Sequence, residues 1–189
     1  SGKYNIVWDE PSKTNKNGRF GWKASRGSLL HQILGAAHED MGLSSKVFPN
    51  QNCLSKQKKC QEQPTGGKTE ITEKQVDRLL LYMQTLAVPR QRNSEAKNIL
   101  KGESLFWSIG CQECHISTFK TKNNTSHKEL ANRPIKPYSD FLLHDLGEGL
   151  ADHLPDFEAS GKEWRTAPLW GIGLVKIVNK HTSFLHDGR

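Results

Sequence analysis

Apolar residues recur at helical spacing in three stretches of the chain. Leu29, Leu30, Ile33, Leu34 and Ala37 fall on one face, Ser28 is a suitable N-cap and Met41-Gly42 is a stop, so a helix is expected over 28–40. Thr72 and Gln75 make a capping box. Val76, Leu79, Leu80, Met83 and Leu86 then keep the period until Pro89, which predicts a helix over 72–87. Ser94 is positioned to cap a third helix, with Ala96, Ile99, Leu100 and Phe106 inward, and that helix runs directly toward Cys111. Between these stretches the pattern fails. Residues 1–27 are rich in Gly, Lys, Asn and Ser and read as mostly irregular. Residues 44–70 are polar, hold Pro64 and Gly66-Gly67, and read as a loop. Beyond His115, Gly and Pro are frequent, and loops with short helices are expected to residue 189. The fold class predicted from this pattern is mainly α.

The third helix leads into Cys111-Gln112-Glu113-Cys114-His115, a CxxCH sequence, the attachment motif of c-type haem. Its spacing has a chemical reason. Two thiols three positions apart can each add across a vinyl group on one porphyrin edge, and the next residue places its imidazole under the iron. Cys111 and Cys114 are therefore candidate thioether residues and His115 the candidate proximal ligand. The other reading is half of a zinc site, which needs a second ligand pair. The remaining cysteines, Cys53 and Cys60, have six residues between them and do not repeat the CxxC spacing.

The order of the pieces suggests a domain organisation. Small class I cytochromes run from an opening helix through CxxCH and loops with a distal ligand to a closing helix. Ser94 to Trp107 looks like an opening helix. Thr72 to Leu86 looks like a closing helix, yet no CxxCH precedes it. Residues 1–90 are thus expected to be the tail of a first cytochrome c-like domain, with helix 28–40, a loop and the closing helix. Residues 91–189 are expected to be a second, class I cytochrome c-like domain with long loops, lacking its C-terminal helix.

Composition narrows the partners. Lys and Arg exceed Asp and Glu by 27 to 20, giving a formal charge of +7. A basic surface can steer an acidic redox partner. The excess lies in loops such as Lys56 to Lys59 and Lys120 to Lys128, with no basic face at helical spacing. The cations are scattered and not interleaved with aromatics, which argues against nucleic acid. No run of eighteen apolar residues marks a membrane span. Covalent haem attachment is an export-side process, so a periplasmic or otherwise exported location is expected. A Cys53–Cys60 disulfide fits that setting.

Several segments occur together in an order that resembles a known family. They are Gly18 to Ala24, Asp40 to Leu43, Gly102 to His115, Tyr138-Ser139-Asp140, Leu143 to Gly147, Glu163 to Gly171, and Phe184 to Arg189. The chain resembles the bacterial di-haem oxidoreductases, also called thiol oxidoreductases, which are related to di-haem cytochrome c peroxidases. The resemblance implies a periplasmic redox enzyme in which one haem receives electrons and the other activates a small oxidant such as peroxide. It implies one haem c in this chain and a second in the full-length protein, because the family carries two CxxCH sites and this sequence has one. The chain then reads as an internal piece around the second haem, completed by the rest of the protein or a partner chain, with a redox protein as partner. The competing readings are an electron-transfer cytochrome without catalysis of its own and a haem-bearing subunit of a larger assembly.

The resemblance also proposes ligands. In the wider peroxidase group, the residue before His-Asp-Gly is often the distal ligand, commonly methionine. Here it is Leu185, which cannot bind iron. The haem of this chain is then either five-coordinate or ligated by histidine, with His144, His181, His186 and His153 as candidates, each of which can instead be a hydrogen-bonded structural residue. Met41 is a candidate ligand of a first haem outside this chain, or a core filler. Trp164, Arg165 and Trp170 are candidate pocket residues, Arg165 as a propionate partner or as one half of an ordinary surface ion pair. Asp140, Asp145 and Asp187 lie beside histidine or haem segments, and one of them is a candidate to orient an imidazole by accepting its N–H. Trp22 and Trp107 are candidates for positions between haems, or for the core.

Overall fold

The computed structural model describes residues 2–189. It divides into two compact units, one of Asn5–Leu86 and one joining the residues up to Tyr4 to Ala87–Arg189. The expected mainly α fold is overturned. About 30% of the chain is helical and 12% extended, and much of the rest is loop.

The Asn5–Leu86 unit opens with strands β1 (Ile6–Asp9) and β2 (Thr14–Asn17), antiparallel with Ile6 opposite Asn17. Residues 1–27 read as irregular because the inward face of β1 carries Val7 and Asp9 while Ile6 and Trp8 face outward. A buried carboxylate and an exposed Trp invert the period that marks a strand. Asp9 is fully buried and is a hub of polar contacts. It accepts hydrogen bonds from Ser12 Oγ at 2.5 Å, Ser28 Oγ at 2.6 Å and Lys16 Nζ at 2.8 Å. Burial alone would raise its carboxyl; the donors from Lys16, Ser12 and Ser28 overcome burial and hold it at about 2.

Ser28 also caps helix α1 (Leu29–Glu39), its Oγ accepting from His31 N at 3.1 Å. The inner face of α1 supplies Ile33, Leu34 and Ala37 to a core shared with Val7 and Ala24. Met41, beyond this helix, is 69% exposed, so it fills no core gap. A short helix α2 (Lys58–Gln61) follows, then α3 (Glu73–Thr85). The α3 capping box is present in full: Gln75 N donates to Thr72 Oγ1, and Thr72 N donates to Gln75 Oε1 at 2.9 Å.

Cys53 and Cys60 are joined by a disulfide with their Cα atoms 5.9 Å apart. The bridge closes a loop that has no buried core of its own. Replacing both cysteines by serine is expected to lower stability by about 2 kcal/mol through regained loop entropy. Thermal unfolding of the oxidised protein and its double variant measures this. An unchanged midpoint would show that the loop is ordered without the bridge.

The second unit holds α4 (Lys97–Ser108), a 3-10 turn at Cys111–Glu113, and α5 (Val175–Asn179). Between them lie two short antiparallel pairs: β3 (Phe119–Lys120) with β4 (Pro134–Ile135), and β5 (Leu143–Asp145) with β6 (Glu163–Arg165). Lys3 adds to the edge of β5, exchanging backbone hydrogen bonds with Leu143 at 3.0 and 2.8 Å. Leu143, Ala159 and Trp164 form the core, with buried Pro137, Ser139 and Thr166.

The region after residue 115 fails to become helical for a local reason. Non-glycine residues take left-handed φ at Asn132, Tyr138, Phe141, His153 and Phe157, a conformation that does not fit within a right-handed helix. Helix α4 differs from the expectation in two respects. Ala96, not Ser94, precedes its first turn, and Ser94 Oγ donates to Glu95 instead. Its Ile99 and Leu100, expected inward, are 38% and 47% exposed.

Candidate functional site

Gly110, at φ 87°, takes the left-handed conformation that lets the chain leave α4 without strain. The CxxCH segment then tightens into a 3-10 turn, with His115 N donating to Cys111 O at 2.9 Å. One turn thus carries Cys111, Cys114 and His115. Both thiols are unbridged and partly buried.

A second segment clamps this turn. Asp140 N donates to Cys114 O at 2.8 Å and Ser139 N to Ile116 O at 3.0 Å. His115 Nδ1 lies 2.6 Å from the Tyr138 carbonyl oxygen. A carbonyl only accepts, so Nδ1 carries the proton and Nε2 is the nitrogen with a lone pair for iron. The clamp is itself held from behind. Ser139, fully buried, donates to Thr166 O at 2.7 Å and accepts from Phe141 N at 2.9 Å. Phe106 of α4 packs edge-on against the rings of His115 and Tyr138, at 6.2 and 5.8 Å between centroids.

His144 sits on the cysteine side of this turn. Its Nε2 is 2.7 Å from Asp140 Oδ2, and its Nδ1 is 3.5 Å from Cys114 Sγ. The carboxylate can only accept, so Nε2 carries a proton, and Nδ1 faces the thiol. The ring is enclosed: a Cβ on Gly2 would lie 2.6 Å from His144 Nε2. Burial, then the Asp140 and Glu113 carboxylates, push the Cys114 thiol above its usual range.

The other sequence candidates lie elsewhere. His186 stacks on Trp164 at 3.4 Å between centroids, and Trp164 Nε1 donates to Leu150 O at 3.0 Å. His181 Nδ1 accepts from Ser183 N, and His153 is exposed with φ 59°. Leu185 is 45% exposed. Arg165 donates to Thr166 O at 3.3 Å, and burial lowers its guanidinium from its usual value. Of the three aspartates near histidines, Asp140 contacts His144, while Asp145 accepts from Gly147 N and Asp187 binds Arg189. Trp22 and Trp107 are 52% and 46% exposed.

A cavity of about 770 Å³ lies in the same unit. Ile99, Ile135, Leu169 and Trp170 supply apolar walls, and Tyr138 lines it too. Tyr138 therefore links the cavity to His115 through its own backbone carbonyl. The sequence carries no signal for that role, because a main-chain oxygen has no letter and a tyrosine at φ 52° is not foreseeable from composition. The residues fit a covalently held haem. Two thiols and an imidazole share one turn, the imidazole presents the correct tautomer, and an apolar cavity of ligand size adjoins its support. Among the described residues, no three His, Cys, Asp or Glu side chains converge as a metal-binding group, so the second pair a zinc site needs is not found there.

A family model whose description reads "Di-haem oxidoreductase, putative peroxidase" matches residues 1–189. No curated protein and no solved structure matches the chain.

Proposed function

The chain belongs to the di-haem oxidoreductase family, and from that premise we propose that it is the haem c-bearing portion of an exported, peroxidase-like redox enzyme. The observation that carries this reading is the 2.6 Å contact between His115 Nδ1 and the Tyr138 carbonyl. It orients the imidazole beside two thiols as an axial ligand requires. Haem held there supplies a one-electron iron centre for electron transfer and for chemistry on a small oxidant. Cys111 and Cys114 tether it, and His115 binds it. The N–H groups of Ser139 and Asp140 keep the turn closed around the ligand.

The disulfide and the CxxCH chemistry support an oxidising, export-side location. No helix among the described residues is long and apolar enough to cross a membrane. The proposed partner is a redox protein, with the second haem carried outside this chain.

Expression with a cytochrome c maturation system tests the reading. The intact mass is expected to exceed the sequence mass by one haem, and a denaturing gel to keep haem stain. A high-spin spectrum that shifts with cyanide supports the enzyme. A low-spin, cyanide-inert spectrum supports a carrier, and an unmodified mass removes the haem c reading altogether.

A further inference from the structure

The charged groups lining the cavity are all of one sign. Arg90, Arg92 and Lys136 line it, and no carboxylate does. None of the three makes an ion pair among the described residues. All three are exposed, so solvent screens their mutual repulsion, and together they give the rim of an apolar hollow a positive field that favours an anion.

Lys136 has a polar partner and Arg92 a close backbone neighbour. Lys136 Nζ donates to Gln91 Oε1 at 3.3 Å, and Gln91 also bonds the Tyr138 side chain. Arg92 Nη2 lies over Gly173, where an added Cβ would come within 2.9 Å of it. Pro89 approaches Gly171 in the same way, with its Cγ 3.1 Å from where a Cβ would stand. Gly171 has φ 73°, so this turn depends on glycine for conformation and for space. The segment before α4 is thereby seated on the turn after Trp170, and that contact brings Arg90 and Arg92 to the edge of the cavity.

A ligand matching this cavity has a broad apolar body and carboxylates at one edge. We propose that Arg92 and Lys136, with Arg90 beside them, bind the two propionate carboxylates of the haem attached at Cys111 and Cys114. The assignment rests on the haem c reading above. Guanidinium and ammonium donors suit carboxylates, and cations at the exposed rim can meet the carboxylate edge of a ligand whose body lies against the apolar wall.

The test is a redox titration of that haem in the full-length, haem-loaded protein, for Arg92→Gln, Lys136→Gln and the double variant, across a pH series. Removing nearby positive charge favours the oxidised, more positive centre. The double variant is expected to shift the redox equilibrium about tenfold toward the oxidised form, a fall of about 59 mV for one electron. Its potential is also expected to vary more with pH, because unpaired propionates protonate more readily. Arg92→Lys should keep most of the parent potential. A merely structural role would lower the melting temperature without moving the potential or its pH profile. Lys136 is exposed, so Lys136→Gln reads out even if Arg92→Gln folds poorly. Potentials and pH profiles equal to the parent's, with haem still attached, overturn this assignment alone. A parent protein without covalent haem overturns the haem c reading and this assignment with it.

Discussion

Replacing Cys111 and Cys114 together by alanine is expected to abolish all haem that survives denaturation. Both thiols lie on a single 3-10 turn, and Cys53 and Cys60 are already joined to each other, so no other thiol is available. Either single variant keeps one thioether and is expected to retain weaker stain. His115→Ala leaves both thiols in place, so covalent haem should persist with an altered spectrum from loss of the axial imidazole. Haem-stained denaturing gels and intact masses of the four proteins decide the matter. Stain persisting at parental strength in the double cysteine variant would show attachment elsewhere.

The second large effect is expected in the Asn5–Leu86 unit. Asp9→Ala removes a fully buried carboxylate that accepts from Ser12, Ser28 and Lys16 at once. Ser28 loses its anchor while it caps α1, and Lys16 loses its partner. A loss of about 3 kcal/mol is expected, at the level of a broken buried ion pair with its hydrogen bonds. Urea unfolding followed by circular dichroism measures it. The sign of the pH dependence follows from the lowered carboxyl. Its contribution is fully present above the usual value of 3.8 and is lost as pH falls toward about 2. The parent should therefore lose this part of its stability over that window, and Asp9→Ala should not. A variant with the parental acid profile would assign acid unfolding to other groups.

The legible parts of the molecule are those that short-range rules encode. The Thr72–Gln75 box, the Ser28 cap and the CxxCH spacing each follow from residues a few positions apart. The parts that are not legible depend on distant or main-chain partners. The β1–β2 hairpin is hidden because Asp9 sits inward at a position the pattern reserves for apolar side chains. The mainly α expectation fails because β3 to β6 are only two or three residues long, too short to show an alternating period. The same holds for the site. Cys111, Cys114 and His115 stand close together in the sequence. The Tyr138 carbonyl and the cations of the cavity are brought there by backbone turns without a sequence signature.

The pairing of Lys3 with Leu143 makes the Asn5–Leu86 unit an insertion within the other. During synthesis, the edge residue of β5's ladder emerges first and its partner 140 residues later. The intervening unit is complete before that ladder can close. Closing so long a loop is entropically slower when the intervening chain is unfolded than when it is already compact. The connectivity therefore predicts an order of assembly in which the inserted unit folds early and shortens the search by which the residues before it find β5. A shortened chain beginning at Ala87 would keep the CxxCH turn but lack the Lys3 rung. It should therefore fold less cooperatively, even though no residue of the turn itself has been removed.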